Sequence, residues 1–399
     1  MNGTGLISVD DHVVEPPSLW LDRVPRKYVD RAPRVVRGRG YTELSGKQRV
    51  IRSESEGPAC DWWVYENAEV PMVNGIACVG FEFPDNYPTT YDAIHLGCLN
   101  QSERIADLDA DGLDASLCFP NMFTRFCGQR FLESEDKDLG LACVRAYNDW
   151  ILDDWCAGEG RGRLLPLTII PMWDIELAVF EMERCARKGS LAVAFSENPY
   201  QLGLPTIHSG YWDPFFRKAA EHAITVCMHI GSSSMVPQTS PDAPHIISTC
   251  THFSVTAGSL LDFIFSGTLE RIPELKLFFA ESQAGWIPYV LEQADWLAKK
   301  RDGSSLGSTL RLLPSEFILD RVYTSFYNDL AALKNLDAIG AGQLCIETDY
   351  PHSVMLFPNS TPIIEQQLAA AGVSAADQYR IRRGNAIKAF GLDRVGISE

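Results

Sequence analysis

Short apolar runs recur along the chain at intervals that leave room for a helix between them, and most end in polar or charged residues. Leu6–Val9 runs into Asp10, Ala115–Phe119 into Pro120, Leu275–Phe279 toward Glu281 and Leu344–Ile346 into Glu347. Leu164–Ile170, Leu191–Phe195, Thr225–Ile230 and Val322–Ser325 complete the set. A continuous rather than alternating apolar run is what a strand buried on both faces requires, and such strands belong to parallel sheets. Between them lie stretches with helical spacing and helix-forming residues: Gly140–Asp154, Ile175–Lys188, Trp212–His222, Ile287–Lys300 and Thr361–Ala371. The alternation predicts an α/β fold of βα units, and eight strands favour closure into a (β/α)8 TIM barrel over a doubly wound sheet. The stretch Arg31–Thr89, rich in Gly, Trp and charge, breaks the rhythm. It is expected to be an N-terminal insertion or β-rich flap over the barrel mouth, within one domain spanning residues 1–399.

Composition narrows the partners more than the fold. Of 399 residues, 46% are hydrophobic and 22% charged, an ordinary balance for a globular enzyme. A formal net charge of -17 repels nucleic acid and anionic membrane surfaces, so neither is an expected partner. Arg23, Arg26, Lys27, Arg31, Arg34, Arg37 and Arg39 form either a local basic patch or a solvated loop. Eleven cysteines, scattered singly without a C-x-x-C pair, read as buried thiols in a reducing cytoplasm. No leader-like segment opens the sequence, and no apolar stretch approaches the ~20 residues of a spanning helix.

The chemistry gathers at strand ends. Asp10 and His12 are two residues apart on the first strand, so both project to one side, where a carboxylate and an imidazole can share an ion. An aspartate near a histidine can equally be a loop or cap. His229 ends the run Val226–Met228, either pointing into a barrel mouth or serving as a hydrogen-bonded core histidine. Glu281 follows Phe278-Phe279-Ala280, and a carboxylate after such a run needs a cation, either a metal or an arginine. Glu347-Thr348-Asp349-Tyr350-Pro351-His352 follows the last strand. Together, Asp10, His12, His229, Glu281 and Asp349 form a set of hard carboxylates and borderline imidazoles without thiolate, suited to iron, manganese or zinc.

These residues give the chain a resemblance to the amidohydrolase superfamily, in the branch related to aminocarboxymuconate-semialdehyde and resorcylate decarboxylases. Asp109-Ala110-Asp111-Gly112-Leu113-Asp114, Trp212-Asp213-Pro214-Phe215, Phe265-Ser266-Gly267 and Thr348–His352 extend it over nearly the whole sequence. The resemblance implies metal ligands at Asp10, His12, His229 and Asp349. One position departs: where those decarboxylases carry a histidine in a pattern like F-x-H-G-G, this chain reads Phe279-Ala280-Glu281-Ser282-Gln283. A carboxylate there is either a further ligand or a base.

With Glu281 added, the ligand set is rich in carboxylate, which suits paired iron. The Asp-Asp-His-Val-Val-Glu-Pro-Pro start and the Phe-Ala-Glu-Ser-Gln-Ala-Gly-Trp turn resemble the superfamily's nonheme diiron monooxygenases. That narrower resemblance implies two iron ions, dioxygen, an external electron donor and a coenzyme-A-linked small-molecule substrate, such as a terpenoid natural-product acid. The rival expectation is a hydrolase or decarboxylase with a single zinc or manganese, acting on a carboxylated small molecule. A barrel that only binds a ligand is the third. Glu281, His252 and His352 are the expected catalytic groups; His252 and His352 are also candidate further ligands, and Glu15 a support for the site. These barrels commonly dimerise, so a homodimer is compatible with the resemblance.

Overall fold

In the computed structural model, residues 5–43, 49–82, 86–121, 123–300 and 310–398 are described. Among these residues twelve strands form two sheets: β1 (Leu6–His12), β2 (Arg34–Glu43), β3 (Arg49–Ser53), β4 (Ala59–Tyr65), β5 (Ala68–Pro71), β6 (Leu113–Phe119), β7 (Leu164–Thr168), β8 (Ala192–Phe195), β9 (Thr225–His229), β10 (Leu277–Ala280), β11 (Val322–Phe326) and β12 (Leu344–Ile346). β1 and β6 to β12 close into a barrel in which every neighbour is parallel, and the ring shuts where β1 pairs with both β6 and β12. These are the eight strands expected from the apolar runs. Their residues are buried from end to end except Asp114, as strands covered inside by the core and outside by helices must be.

Helices return the chain from strand to strand, and acidic or amide side chains start several of them. Asn100 accepts from the amides of Ser102 and Glu103 to open the helix Gln101–Asp111. Asp136 and Asp174 do the same for Lys137–Trp150 and Ile175–Arg187. Among the described residues no helix is long and apolar enough to cross a membrane.

The segment that breaks the alternation is β2 to β5, an antiparallel sheet of order β3-β2-β4-β5 inserted between the first two barrel strands. Its aromatic side chains seat it: Trp63 stacks on Phe123 at 4.7 Å and meets Trp20 edge-on at 5.1 Å. Phe123 lies in the loop after β6, at the C-terminal end of the barrel where active sites of this architecture form. Three of the seven basic side chains of the N-terminal stretch are held in ion pairs: Arg23 with Asp154, Arg31 with Asp136 and Arg37 with both Asp61 and Asp92.

Candidate metal centre

β1, β9 and the turns after β10 and β12 deliver one cluster of side chains to the C-terminal end of the barrel. His12 Nε2 lies 3.6 Å from Asp10 Oδ1 and 3.3 Å from Asp349 Oδ1. His229 Nε2 lies 3.3 Å from Asp10 Oδ2 and 3.6 Å from Glu281 Oε2. His352 Nδ1 sits 3.3 Å from Asp349 Oδ1, so two overlapping triads of donors, Asp10/His12/His229 and His12/Asp349/His352, share His12.

Both imidazoles are aimed. His12 donates its Nδ1 proton to the Pro120 carbonyl at 3.0 Å, and His229 donates its own to the Ile230 carbonyl at 2.7 Å. A carbonyl oxygen can only accept, so each ring keeps a bare Nε2 lone pair directed at the cluster, the tautomer a metal requires. Neither Nε2 has a hydrogen-bond partner, nor do Asp10 Oδ1, Asp10 Oδ2 and Asp349 Oδ1, although all five atoms are buried. Buried polar atoms are almost always paired, so several orphans facing one another fit a cation that supplies the missing contacts.

Electrostatics agree. Burial first, then the Asp349 and Asp11 charges, pushes the Asp10 carboxyl well above its usual range. Burial, then the same Asp349 charge, raises Glu281. Burial and the neighbouring His352 lower His12 to about 3, and burial with His229 lowers His352 to about 3. Without a cation the acids resist ionising and the imidazoles resist protonation; a divalent ion relieves the first and needs the second.

Backbone strain coincides with the site. Asp349, Glu281 and Gln283 have φ of 52°, 55° and 56°, a region that side-chain-bearing residues rarely occupy. The Asp349 turn is held by Asp11, which points away from its neighbour Asp10. Its carboxylate accepts from Ser8 Oγ (3.0 Å), Ser116 Oγ, Thr348 Oγ1 (2.6 Å) and the Tyr350 amide (3.0 Å). Glu347, also next to the donor cluster, accepts from the Glu281 amide at 2.9 Å and from Ser325, fixing the Glu281 turn. Arg104, fully buried, bonds the His12 carbonyl at 2.9 Å and lies 4.1 Å from the centre of the Tyr350 ring.

The other expected residues fall as follows. His352 joins the cluster: its ring stacks on His12 at 3.7 Å and its Nε2 meets Asn121 Oδ1 at 3.1 Å. His252 stands outside the donor cluster, half-buried on the cavity wall with Nε2 3.4 Å from the Met235 carbonyl. Glu15 accepts from the Asn121 and Thr124 amides, supports the loop after β6 and is outside the donor triads. Sequence reasoning passed over Glu197, whose carboxylate accepts from Thr256 Oγ1 at 2.6 Å and the Gly231 amide at 3.1 Å and is raised to about 7 by burial. It follows Phe195-Ser196 at the end of β8, so the strand-end rule that found Glu281 applies to it as well.

The cluster forms the floor of a cavity of about 650 Å³ bordered by Val70, Ile76, Phe126, Ile230, Met235 and Val236, with Glu281 and His352 exposed to it. Val70 and Ile76 come from β5 and the turn after it, so the inserted sheet supplies part of the wall. Phe126 stacks on His229 at 4.0 Å and shields its outer face.

Comparison with known proteins places this architecture. An amidohydrolase family model matches residues 94–392. A γ-resorcylate decarboxylase from Polaromonas sp. is 25% identical over 272 residues, covering 63% of this chain and 77% of that protein. The solved amidohydrolase from Mycobacterium avium subsp. paratuberculosis superposes with a TM-score of 0.69 at 19% identity, covering 99% of this chain and 100% of that one. A dihydroxybenzoic acid decarboxylase from Polaromonas sp., solved with manganese and the inhibitor 2-nitroresorcinol, gives a TM-score of 0.62 at 16% identity, with 98% of each chain covered. The expectation of a diiron monooxygenase with a coenzyme-A-linked substrate, dioxygen and an electron donor is corrected by the first of these relatives. That relative is a decarboxylase, and loss of carbon dioxide consumes a proton but neither oxygen nor electrons. The carboxylate-rich ligand set that suggested paired iron is equally a set for one hard divalent ion, because it offers oxygen and imidazole donors alone. With its closed parallel barrel, its strand-end donors and a family match over most of its length, the chain belongs to the amidohydrolase family.

Proposed function

We propose that the protein is a decarboxylase of a carboxylated small molecule, working with one divalent ion, manganese in preference to zinc. The gathering of five buried, unpartnered donor atoms into two triads that share His12, beneath an open cavity, carries this reading, and the decarboxylase relatives support it. Asp10, His12, His229 and Asp349 would hold the ion. Its chemistry is that of a Lewis acid that anchors and polarises the substrate carboxylate.

The remaining work belongs to side chains. Glu281 keeps 18% of its side chain exposed, whereas Asp10, His12, His229 and Asp349 keep 0–1%, so it is the acid that a substrate touches. As a carboxylic acid it delivers a proton to the substrate carbon; the carbon–carboxyl bond breaks, its electron pair stays on that carbon and carbon dioxide leaves. His352 positions Asp349 by its contact and His12 by stacking. Phe126 and Ile230 keep water from the reacting carbon.

A second reading is hydrolysis. It is favoured by Glu281 itself, since a carboxylate beside a metal site can take a proton from water. Glu281→Gln separates ligand from catalyst: manganese content per chain should hold while turnover falls by about 10²-fold or more, whereas Asp349→Ala should lose metal and turnover together. The first assay is carbon dioxide release from hydroxybenzoic acids by the manganese-loaded protein. Ester or amide cleavage without decarboxylation would shift the assignment to hydrolysis, and loss of metal in Glu281→Gln would make Glu281 a ligand.

A further inference from the structure

The cavity wall carries a feature that a single reacting carboxylate does not use. Arg125, from the loop after β6, donates to Glu133 Oε1 at 2.6 Å and to Ser234 Oγ at 2.6 Å, on the loop after β9. Arg130 donates to Glu133 Oε2 at 3.3 Å and to the Phe123 carbonyl at 3.4 Å. Within ion-pair distance, two guanidinium groups therefore share one carboxylate among the described residues, leaving a positive charge at the wall of a protein whose net charge is -17.

The arrangement is built rather than incidental. Arg125 and Ser234 both hold left-handed backbone conformations, φ 64° and 60°, and they meet each other across the cavity edge. Strain at non-glycine positions persists where the surroundings impose it, and it concentrates at ligand clamps. Glu133 remains 49% exposed, so its ion pairs can exchange for a ligand's at little cost. Besides these groups and the polar Asn121, Thr249, His252 and Ser353, the cavity is lined by the apolar Ile76, Phe126, Met235, Val236 and Val354. A volume of about 650 Å³ exceeds what one ring needs and falls in the ~300–1,000 Å³ range of pockets that enclose larger ligands.

We propose that the substrate carries a second carboxylate, separated from the reacting one by an apolar body, and that Arg125 and Arg130 bind it. The planar guanidinium fork matches a carboxylate in two-point contact, which an isolated ammonium cannot do. The inference rests on the decarboxylase reading only in seating the first carboxylate at the metal donors.

The test is calorimetric binding to manganese-loaded protein of salicylates carrying a carboxyalkyl chain of about two to six methylenes, against their terminal amides, a spacing range set to span the cavity. At the best length the diacid should bind about tenfold more tightly than its amide or better. In Arg130→Gln that ratio should fall to within about twofold, with Arg130→Lys restoring part of it by charge alone. Equal affinity of diacid and amide at every length would overturn the proposal, as would a ratio that survives in both Arg130→Gln and Arg125→Gln. Carbon dioxide release is scored separately: charge preference without decarboxylation removes the reaction assignment and leaves the second-carboxylate site standing.

Discussion

Replacing Asp10 by asparagine should reverse its effect on stability according to whether metal is present. Asp10 Oδ1 and Asp349 Oδ1 lie 3.6 Å and 3.3 Å from the same His12 nitrogen, so the two carboxylates are no more than roughly 7 Å apart. At an effective dielectric constant of ~20, two full charges at that separation repel by about 2 kcal/mol. Asp10 makes no side-chain hydrogen bond that asparagine would lose, since both its oxygens are unpartnered. In chelator, Asp10→Asn should therefore match the wild type if Asp10 escapes the repulsion by protonation, or exceed it by about 2 kcal/mol or more if Asp10 stays ionised. With manganese at ~100 times its dissociation constant, the wild type gains about 2.7 kcal/mol and the variant nearly nothing. For a chain this long each kcal/mol moves Tm by roughly 1–2 °C, scaled from the trend in smaller domains. Melting curves of both proteins in EDTA and in manganese should cross in order. A variant that melts well below the wild type in EDTA, or whose manganese shift equals the wild type's, would refute the assignment of Asp10 as a ligand without other duties.

A second expectation concerns pH. In metal-free protein His352 has a folded pKa of about 3 against an ordinary 6.5, so the unfolded chain takes up its proton first. Its contribution is fully present above pH 6.5 and is lost as pH falls toward 3, and the Tm gap between wild type and His352→Gln in EDTA should shift steadily against the wild type over that window; a constant gap would contradict the buried neutral imidazole. Gly97→Ala would put a Cβ 1.9 Å from Asp107 Oδ2 and 2.6 Å from Tyr350 Oη, the two groups that tie the helix Gln101–Asp111 to the turn after Asp349. Overpacking of this kind costs about 1–3 kcal/mol, so both Tm and manganese affinity should drop, and unchanged affinity would show that this tie does not position Asp349.

The barrel was legible because its signal is redundant. Each strand is buried on both faces, so a run such as Val226-Cys227-Met228 announces itself without any alternating pattern. Edges were read less well: Leu164–Ile170 ends at Thr168, and Leu275–Phe279 is shifted to Leu277–Ala280. The helix His245–Thr251 lay hidden in what reads as a polar loop, because Ser248, Thr249 and Thr251 carry little helix propensity and are helical only in tertiary context. At the site, Asp10, His12, His229, Glu281 and Asp349 could be collected from strand ends, yet the opposite duties of Asp10 and Asp11 could not. Which of two adjacent acids faces the ligands depends on where Ser116 and Thr348 lie in space, and sequence distance hides both. The choice between iron and manganese chemistry was equally beyond the donor types, which both metals accept.

The inserted sheet has a consequence for how such a protein can change over generations. Among the described residues its strands pair with one another, and it is held to the barrel by aromatic contacts around Trp63, by Glu66 accepting from the Glu135 and Asp136 amides, and by the Cys78 amide donating to the Pro351 carbonyl at 2.7 Å. Through Val70 and Ile76 it nonetheless shapes the chamber above the ligands. Part of the chamber wall is thus carried on a stretch of chain separate from the strand ends that supply the donors, so a change of length or sequence in the insert can reshape that part of the wall while leaving the donors in place.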